Sequence, residues 1–446
     1  ICVVANAVAD DTVFIAPDDY YKYTFATDAL GFKYIFDYAR SQGKPCVVSF
    51  SEGSSQDFWG YDQLYYEMLR RISGPGCILV SAAGNYGNDK TWFRKAPGEE
   101  SAGTFFANSG KTGMVTLKSD RDFTLRLVAY DNSHNDTLTL SCRYILQQPD
   151  SVLRAMLYAQ SDSVTVVVEA YPSCYVPGET CYDLTLSGTK HVGRSPQLSL
   201  EVIGTEADIE GYRVDGSLVA NALNPLLAAG ERSHSVLSPA AAPCVICVGA
   251  TYYRPGVVNY QGVWHEGSKG EYGEWAAYSS VGPTMDGRTK PDVAAPGSNI
   301  ISSYSSYYLE ANPGARDIGW DVEHFDFNGR TYAWNSNSGT SMSCPAVAGA
   351  IALWLQAKPD LTTEQVLNVL KNTCRHHDEA LAYPNNYYGY GEIDVYHGLL
   401  YILGADQIDG VSVSQTRARI ETSEGRFIDK LPENGGYNWR NEIGNI

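Results

Sequence analysis

Short apolar runs alternate with helical periodicity through the first ninety or so residues. Ile1-Cys-Val-Val-Ala5 reads as a buried strand already in progress. A polar loop follows, then Thr27–Gln42, where Leu30, Tyr34, Phe36 and Tyr38 suggest a half-buried helix closed by Gly43. Cys46–Phe50 is a short strand between Pro45 and Glu52-Gly53, and Tyr61–Ile72 is a second helix stopped by Ser73-Gly-Pro-Gly76. Cys77–Ala83 is a third apolar strand. Strands separated by helices imply right-handed crossovers and a parallel sheet.

The pattern changes between Ala96 and Glu231. Met114–Leu117, Phe123–Val128, Thr137–Leu140, Ser163–Glu169, Tyr182–Leu186 and Leu198–Val202 all alternate with a period of two. Turn residues separate them, as in an antiparallel sandwich or jelly roll. Strand and helix patterning resumes at Pro243–Ala250. Three helices are expected near the end, over Ser341–Ala357, Thr362–Cys374 and Val395–Leu403. The second has capping-box spacing at Leu361-Thr-Thr-Glu364. The expected division is an α/β unit over 1–95 and 232–404, interrupted by a β-sandwich domain over 96–231. Residues 405–446, polar apart from Val411–Ile420, form a tail or the start of a truncated further domain.

Composition narrows the function classes. At 446 residues the chain exceeds the usual single domain. Its net charge of −18 argues against a nucleic-acid partner, which calls for clustered Lys and Arg. No apolar run of about 18 residues is present, so no membrane span is expected. Thirty-two Tyr, with abundant Ser, Gly and Asn, fit an extracellular or cell-envelope protein. The ten Cys are scattered. Cys174 and Cys181 are close enough to staple one loop, the alternative being isolated buried thiols. Cys244 and Cys247 fall in a strand pattern, where positions i and i+3 face opposite sides, so neither a zinc nor a redox role is expected. No cofactor is implied and no metal-ligand loop can be named.

The chemistry concentrates in Asn337-Ser-Gly-Thr-Ser-Met-Ser-Cys-Pro-Ala-Val-Ala-Gly349, where a polar loop turns into an apolar helix with Ser341 at its start. Orphan N–H groups and the positive dipole end favour a developing negative charge there. Pro345 is expected in the first turn, where its missing N–H costs nothing. An isolated Ser at such a place would be a helix cap. The string Gly339–Gly349 as a whole, however, resembles the nucleophile motif of the subtilisin-like serine peptidases (peptidase S8, the subtilases). It lacks the G-x-S-x-G of esterases and amidases of the α/β-hydrolase type.

Other segments resemble the same family in the same order. Ser81-Ala-Ala-Gly-Asn85 resembles the segment whose Asn donates to the oxyanion. Ser49-Phe-Ser-Glu-Gly53 resembles the edge that pairs with the substrate backbone. Ser279–Thr284, Lys290–Gly297 and Tyr388–Val395 resemble further family landmarks. The resemblance covers Ile1–Gly87 and Cys244–Leu403. It implies a subtilisin-like catalytic domain in two parts, 1–95 and 232–404, and a hydrolase that cleaves proteins or peptides. Ser341 would be the nucleophile and Asn85 the oxyanion donor. Ser51, Glu52, Gly53, Ala83, Gly84 and Tyr86 would line the substrate site, Tyr86 narrowing the first specificity pocket.

The family's chain order is Asp, His, Ser, yet all eight His follow Asn85. His376-His377 is expected to close a helix against its carbonyls. The triad's Asp and His are therefore expected upstream of residue 1, in the same protein or in a separate N-terminal chain, which would leave this chain inert alone. The competing reading is an inactive subtilisin-fold binding module.

Overall fold

The computed structural model describes residues 25–131, 135–159, 162–267 and 270–405. The strand expected at Ile1–Ala5 and the tail beyond Ala405 lie outside the described residues.

Four parallel strands run in the same order in space as in sequence: β1 (Cys46–Phe50), β2 (Cys77–Ala82), β3 (Val245–Thr251) and β4 (Val293–Pro296). Every residue of β2 and β3 is buried, as in a parallel sheet covered on both faces. Alternation along β2 assigns the two faces. Cys77 and Leu79 meet helices α1 (Phe25–Ser41) and α2 (Tyr61–Ile72) through Phe32, Phe36, Tyr65 and Leu69. Ile78 and Val80 meet α3 (Thr340–Ala357) and α4 (Thr363–Thr373) through Val347, Ile351, Trp354, Val366 and Leu370. Helix α5 (Val395–Leu403) packs on α3, and Trp354 Nε1 donates to Val395 O at 3.0 Å.

Two local expectations are corrected. Of the four residues expected to mark the buried face of α1 only Phe36 lies on it, with Ala29 and Phe32, whereas Leu30, Tyr34 and Tyr38 are exposed. The capping box of α4 joins Thr362 to Gln365, one residue later than expected, because only Thr362 offers a hydroxyl at the N-cap.

Between β2 and β3 lie two antiparallel sheets. The six-stranded one runs in the order Trp92–Lys95, Ile209–Asp215, Thr112–Ser119, Thr180–Ser187, Ser163–Pro172 and Val152–Tyr158. The five-stranded one runs Ser217–Val219, Ser101–Ala107, Gln197–Ile203, Thr124–Tyr130 and Asp136–Ser141. Leu117, Leu184 and Val166 of the first sheet share one apolar cluster with Leu125, Leu127 and Leu200 of the second. The Thr124–Tyr130 strand buries every second residue, as expected of a strand with one face in a core.

This β unit is seated on the parallel-sheet unit through an aromatic cluster. Phe58 and Met285 pack with Tyr171, Cys181 and Tyr212. Trp59 stacks on Tyr171 with centroids 3.8 Å apart, and its Nε1 donates to Asp183 Oδ2 at 2.9 Å. Tyr175 OH donates to Asp57 O at 2.8 Å. Among the described residues all nine cysteines are free, Cys174 and Cys181 included.

Candidate active site

Ser341 occupies the second position of α3, at the end of the loop that follows the strand Arg330–Asn337. The loop enters the helix through Gly339 at φ 154, a conformation other residues avoid. Gly339 N–H donates to Gly297 O at 2.9 Å, just beyond β4. Ser343 Oγ donates to Ala295 O at 2.9 Å. The helix start is thus fastened to the carboxyl end of the sheet, where ligands of open α/β folds bind.

The carboxyl end of β2 brings Asn85 against the same loop. Asn85 Oδ1 accepts from Thr340 N–H at 2.9 Å and from Thr340 Oγ1 at 3.1 Å. Gly84 N–H donates to Thr340 Oγ1 at 3.2 Å. Since Oδ1 accepts a backbone N–H, the amide has one workable orientation. Its Nδ2 has no partner among the described residues, and Asn85 as a whole is exposed. The Ser341 N–H is equally without one, being an orphan donor of the first helical turn. Asn85, at the carboxyl end of β2, and Ser341, at the start of α3, are thus joined through Thr340, and each keeps a donor without a partner among the described residues. Thr340, which orients the Asn85 amide, was missed in the sequence; its position inside Gly339-Thr-Ser341 was the only signal.

The carboxyl end of β1 supplies the third side. Ser341 Oγ donates to Ser51 O at 3.2 Å, and Ser51 Oγ donates to Ser341 O at 3.0 Å. This second bond corrects the expectation for Pro345. The proline is the sixth residue of α3, inside the helix, so the carbonyl of Ser341 loses its usual donor. Ser51 supplies the replacement. Ser51 and Glu52 are exposed, Gly53 is half-buried, and Ala83 and Gly84 are buried. Tyr86 is exposed, and its ring lies under the Arg213 guanidinium at 5.0 Å.

The other motifs fasten the sheet. Lys290 Nζ donates to Val245 O at 2.9 Å, and Asp292 Oδ2 accepts from Cys247 N–H at 2.7 Å. Glu392 continues the sheet by a parallel bridge to Ala294. None of the seven described histidines is bonded to Ser341. Burial lowers the pKa of His234 to about 4, keeping it neutral, and its ring packs on Trp92 and Tyr212. His324 lies 2.7 Å from Asp321 and His397 lies 2.8 Å from Asp394. His376 and His377 do not close a helix: α4 ends at Thr373, His376 bonds to Tyr390 O at 3.1 Å, and His377 lies 3.2 Å from Glu392.

The subtilase family model matches residues 32–391, taking in the sheet, the Asn85 segment and the Ser341 helix. The chain belongs to the subtilase family. It is 40% identical over 121 residues to the serine protease AprX of Bacillus subtilis, covering 27% of this chain and 24% of that one. It is 33% identical over 127 residues to the minor extracellular protease Vpr of the same organism, covering 28% of this chain and 13% of Vpr. The matched stretches are thus a quarter or less of those relatives' lengths. The fold is similar to that of the CspB protease of Clostridium perfringens, with a TM-score of 0.58, 17% identity, and coverage of 85% of this chain and 71% of that one. This subtilase has the mixed α/β architecture of its family, with several antiparallel sheets added. Among the described residues no helix is long and apolar enough to cross a membrane.

Proposed function

We propose that this subtilase hydrolyses peptide bonds as a serine endopeptidase, with Ser341 as nucleophile. The observation that carries the reading is the pair of unpartnered donors, Asn85 Nδ2 and Ser341 N–H, at the start of α3. Ser341 Oγ attacks the scissile carbonyl and gives its proton to a base. The carbonyl oxygen becomes an oxyanion held by the two donors. Collapse expels the amine, which takes the proton, and water then releases the acyl group by the same steps. The substrate backbone lies along Ser51–Gly53, and Ala83, Gly84 and Tyr86 flank it.

A hydroxyl is a poor nucleophile until its proton has an acceptor, and a carbonyl such as Ser51 O is no base. That role falls to a histidine outside the described residues, oriented by an Asp, both from a segment ahead of the Ser51 edge. The β unit over 96–231 is a separate domain inserted into the catalytic one. Protein or peptide substrates in an extracellular or cell-envelope setting fit this reading.

The test compares Asn85→Ala and Ser341→Ala with the parent on a peptide substrate, each including the Asp and His segments. Losing one oxyanion donor costs on the order of 10²–10³ in kcat, a scale carried over from subtilisin itself. Ser341→Ala should abolish turnover. An Asn85→Ala enzyme with unchanged kcat would remove Asn85 from the oxyanion hole.

A further inference from the structure

Cys46 opens β1 and Cys77 opens β2, and the parallel register of the two strands sets these residues directly opposite one another. Partners across a sheet stand about 4.8 Å apart, and a disulfide spans Cα separations of about 4.4–6.8 Å. In a parallel pair, residues in register point to the same face of the sheet. Both cysteines accordingly belong to the apolar layer beneath α1 and α2, with Phe32, Phe36 and Leu69. Among the described residues no other two cysteines are brought into register. Cys181 faces Lys118 and Tyr171, and Cys247 faces Ser81.

The two thiols differ in access. Cys77 is 2% exposed, whereas Cys46 is half-buried on the end strand of the four. Burial pushes the Cys77 thiol up, and the Arg40 guanidinium pulls it back down. Arg40 is itself anchored, its Nη2 donating to Ile72 O at 2.7 Å. A cation beside a thiol favours the thiolate, the form that attacks a disulfide. Both thiols are free in this structure.

We propose that Cys46 and Cys77 form a disulfide under oxidising conditions, and that the bond clamps β1 to β2. The step uses a small disulfide such as oxidised glutathione. The Cys46 thiolate attacks one of its sulfurs and expels one glutathione, leaving a mixed disulfide on Cys46. The Cys77 thiolate then attacks Cys46 Sγ and expels the second glutathione. Two protein thiols are oxidised and one small disulfide is reduced to two thiols. The protons lost by the cysteines pass to the departing thiolates. The bond closes a loop of about 30 residues that contains α2, which removes conformations from the unfolded chain. This inference is independent of the peptidase reading.

The experiment incubates the folded full-length protein with reduced or oxidised glutathione. The samples are then denatured, alkylated and mapped by mass spectrometry without reduction. Oxidation should join the peptide of Cys46 to that of Cys77, and dithiothreitol should release them. Cys77→Ser should instead leave Cys46 carrying one glutathione. The oxidised protein should unfold at a higher urea concentration than the reduced one, a difference absent in Cys46→Ser. Oxidised protein in which both cysteines are still alkylated overturns the proposal, even if the variants fail to fold. So does a bond from either residue to a different cysteine. A Cys46–Cys77 link that leaves the denaturation midpoint unchanged overturns the clamp.

Discussion

Ser51 and Ser341 hold one another through reciprocal hydroxyl-to-carbonyl bonds, 3.0 Å in one direction and 3.2 Å in the other. The arrangement follows from Pro345, whose missing N–H leaves the Ser341 carbonyl in need of a donor. Removing the donor by Ser51→Ala should cost about 0.5–1.5 kcal/mol of stability. Pro345→Ala restores an N–H to the helix, so in that background the same change should cost measurably less. A double-mutant cycle by urea denaturation reads the coupling. Additive costs would mean that the two residues do not share this carbonyl.

Asp62 gives a pH dependence. Asp57 gathers the N–H groups of Trp59, Gly60 and Asp62 at the start of α2. Asp62 beside it is buried, accepts from Ser238 Oγ at 2.6 Å, and burial pushes its carboxyl up to about 7. Unfolded, it titrates at about 3.9. Folding therefore favours the protonated form. This contribution is complete below about pH 4 and is lost as pH rises through about 7. Asp62→Asn should flatten the fall in stability across that window. Denaturation midpoints that decline equally with pH in both proteins would contradict the assignment.

The seam between the two units offers a third test. Asp183 is buried, accepts from Trp59 Nε1 and Thr116 Oγ1, and burial raises its pKa. Trp59→Phe keeps the stacking area on Tyr171 but removes one donor from a buried carboxylate. The expected loss is about 1–3 kcal/mol, with Trp59→Phe/Asp183→Asn partly restoring it. Equal stability of parent and Trp59→Phe in thermal denaturation would show that the seam does not depend on this bond.

If the β unit is a domain in its own right, the expected segment 96–231, extended to residue 92 to take in the strand Trp92–Lys95 that pairs with Ile209–Asp215, should unfold cooperatively when expressed alone and give a strand-dominated circular dichroism spectrum. A helix-dominated spectrum would reject that.

Much of the fold is legible in the sequence because burial there follows simple periods. Cys46–Phe50 and Tyr61–Ile72 form with the expected bounds. Strands were missed where the period fails. Ser101–Ala107 buries four residues in a row, Gly103 to Phe106, and so shows no alternation. Val152–Tyr158, at the end of the six-stranded sheet, does alternate in burial, but its outward positions include the apolar Met156 and Tyr158, so the sequence does not show it. The site is legible only in part. Ser341 and Asn85 sit in recognisable strings, whereas the reciprocal bonds of Ser51 with Ser341 join positions 290 apart, which no local pattern encodes.

Labelling by a fluorophosphonate probe tests the central claim most directly. With the Asp and His segments present, Ser341 should be the modified residue, with labelling abolished by Ser341→Ala and slowed by Asn85→Ala. Residues 1–446 alone should label far more slowly, because none of the seven described histidines is bonded to Ser341. Modification that persists in Ser341→Ala, or full-rate labelling of residues 1–446 alone, would contradict the account.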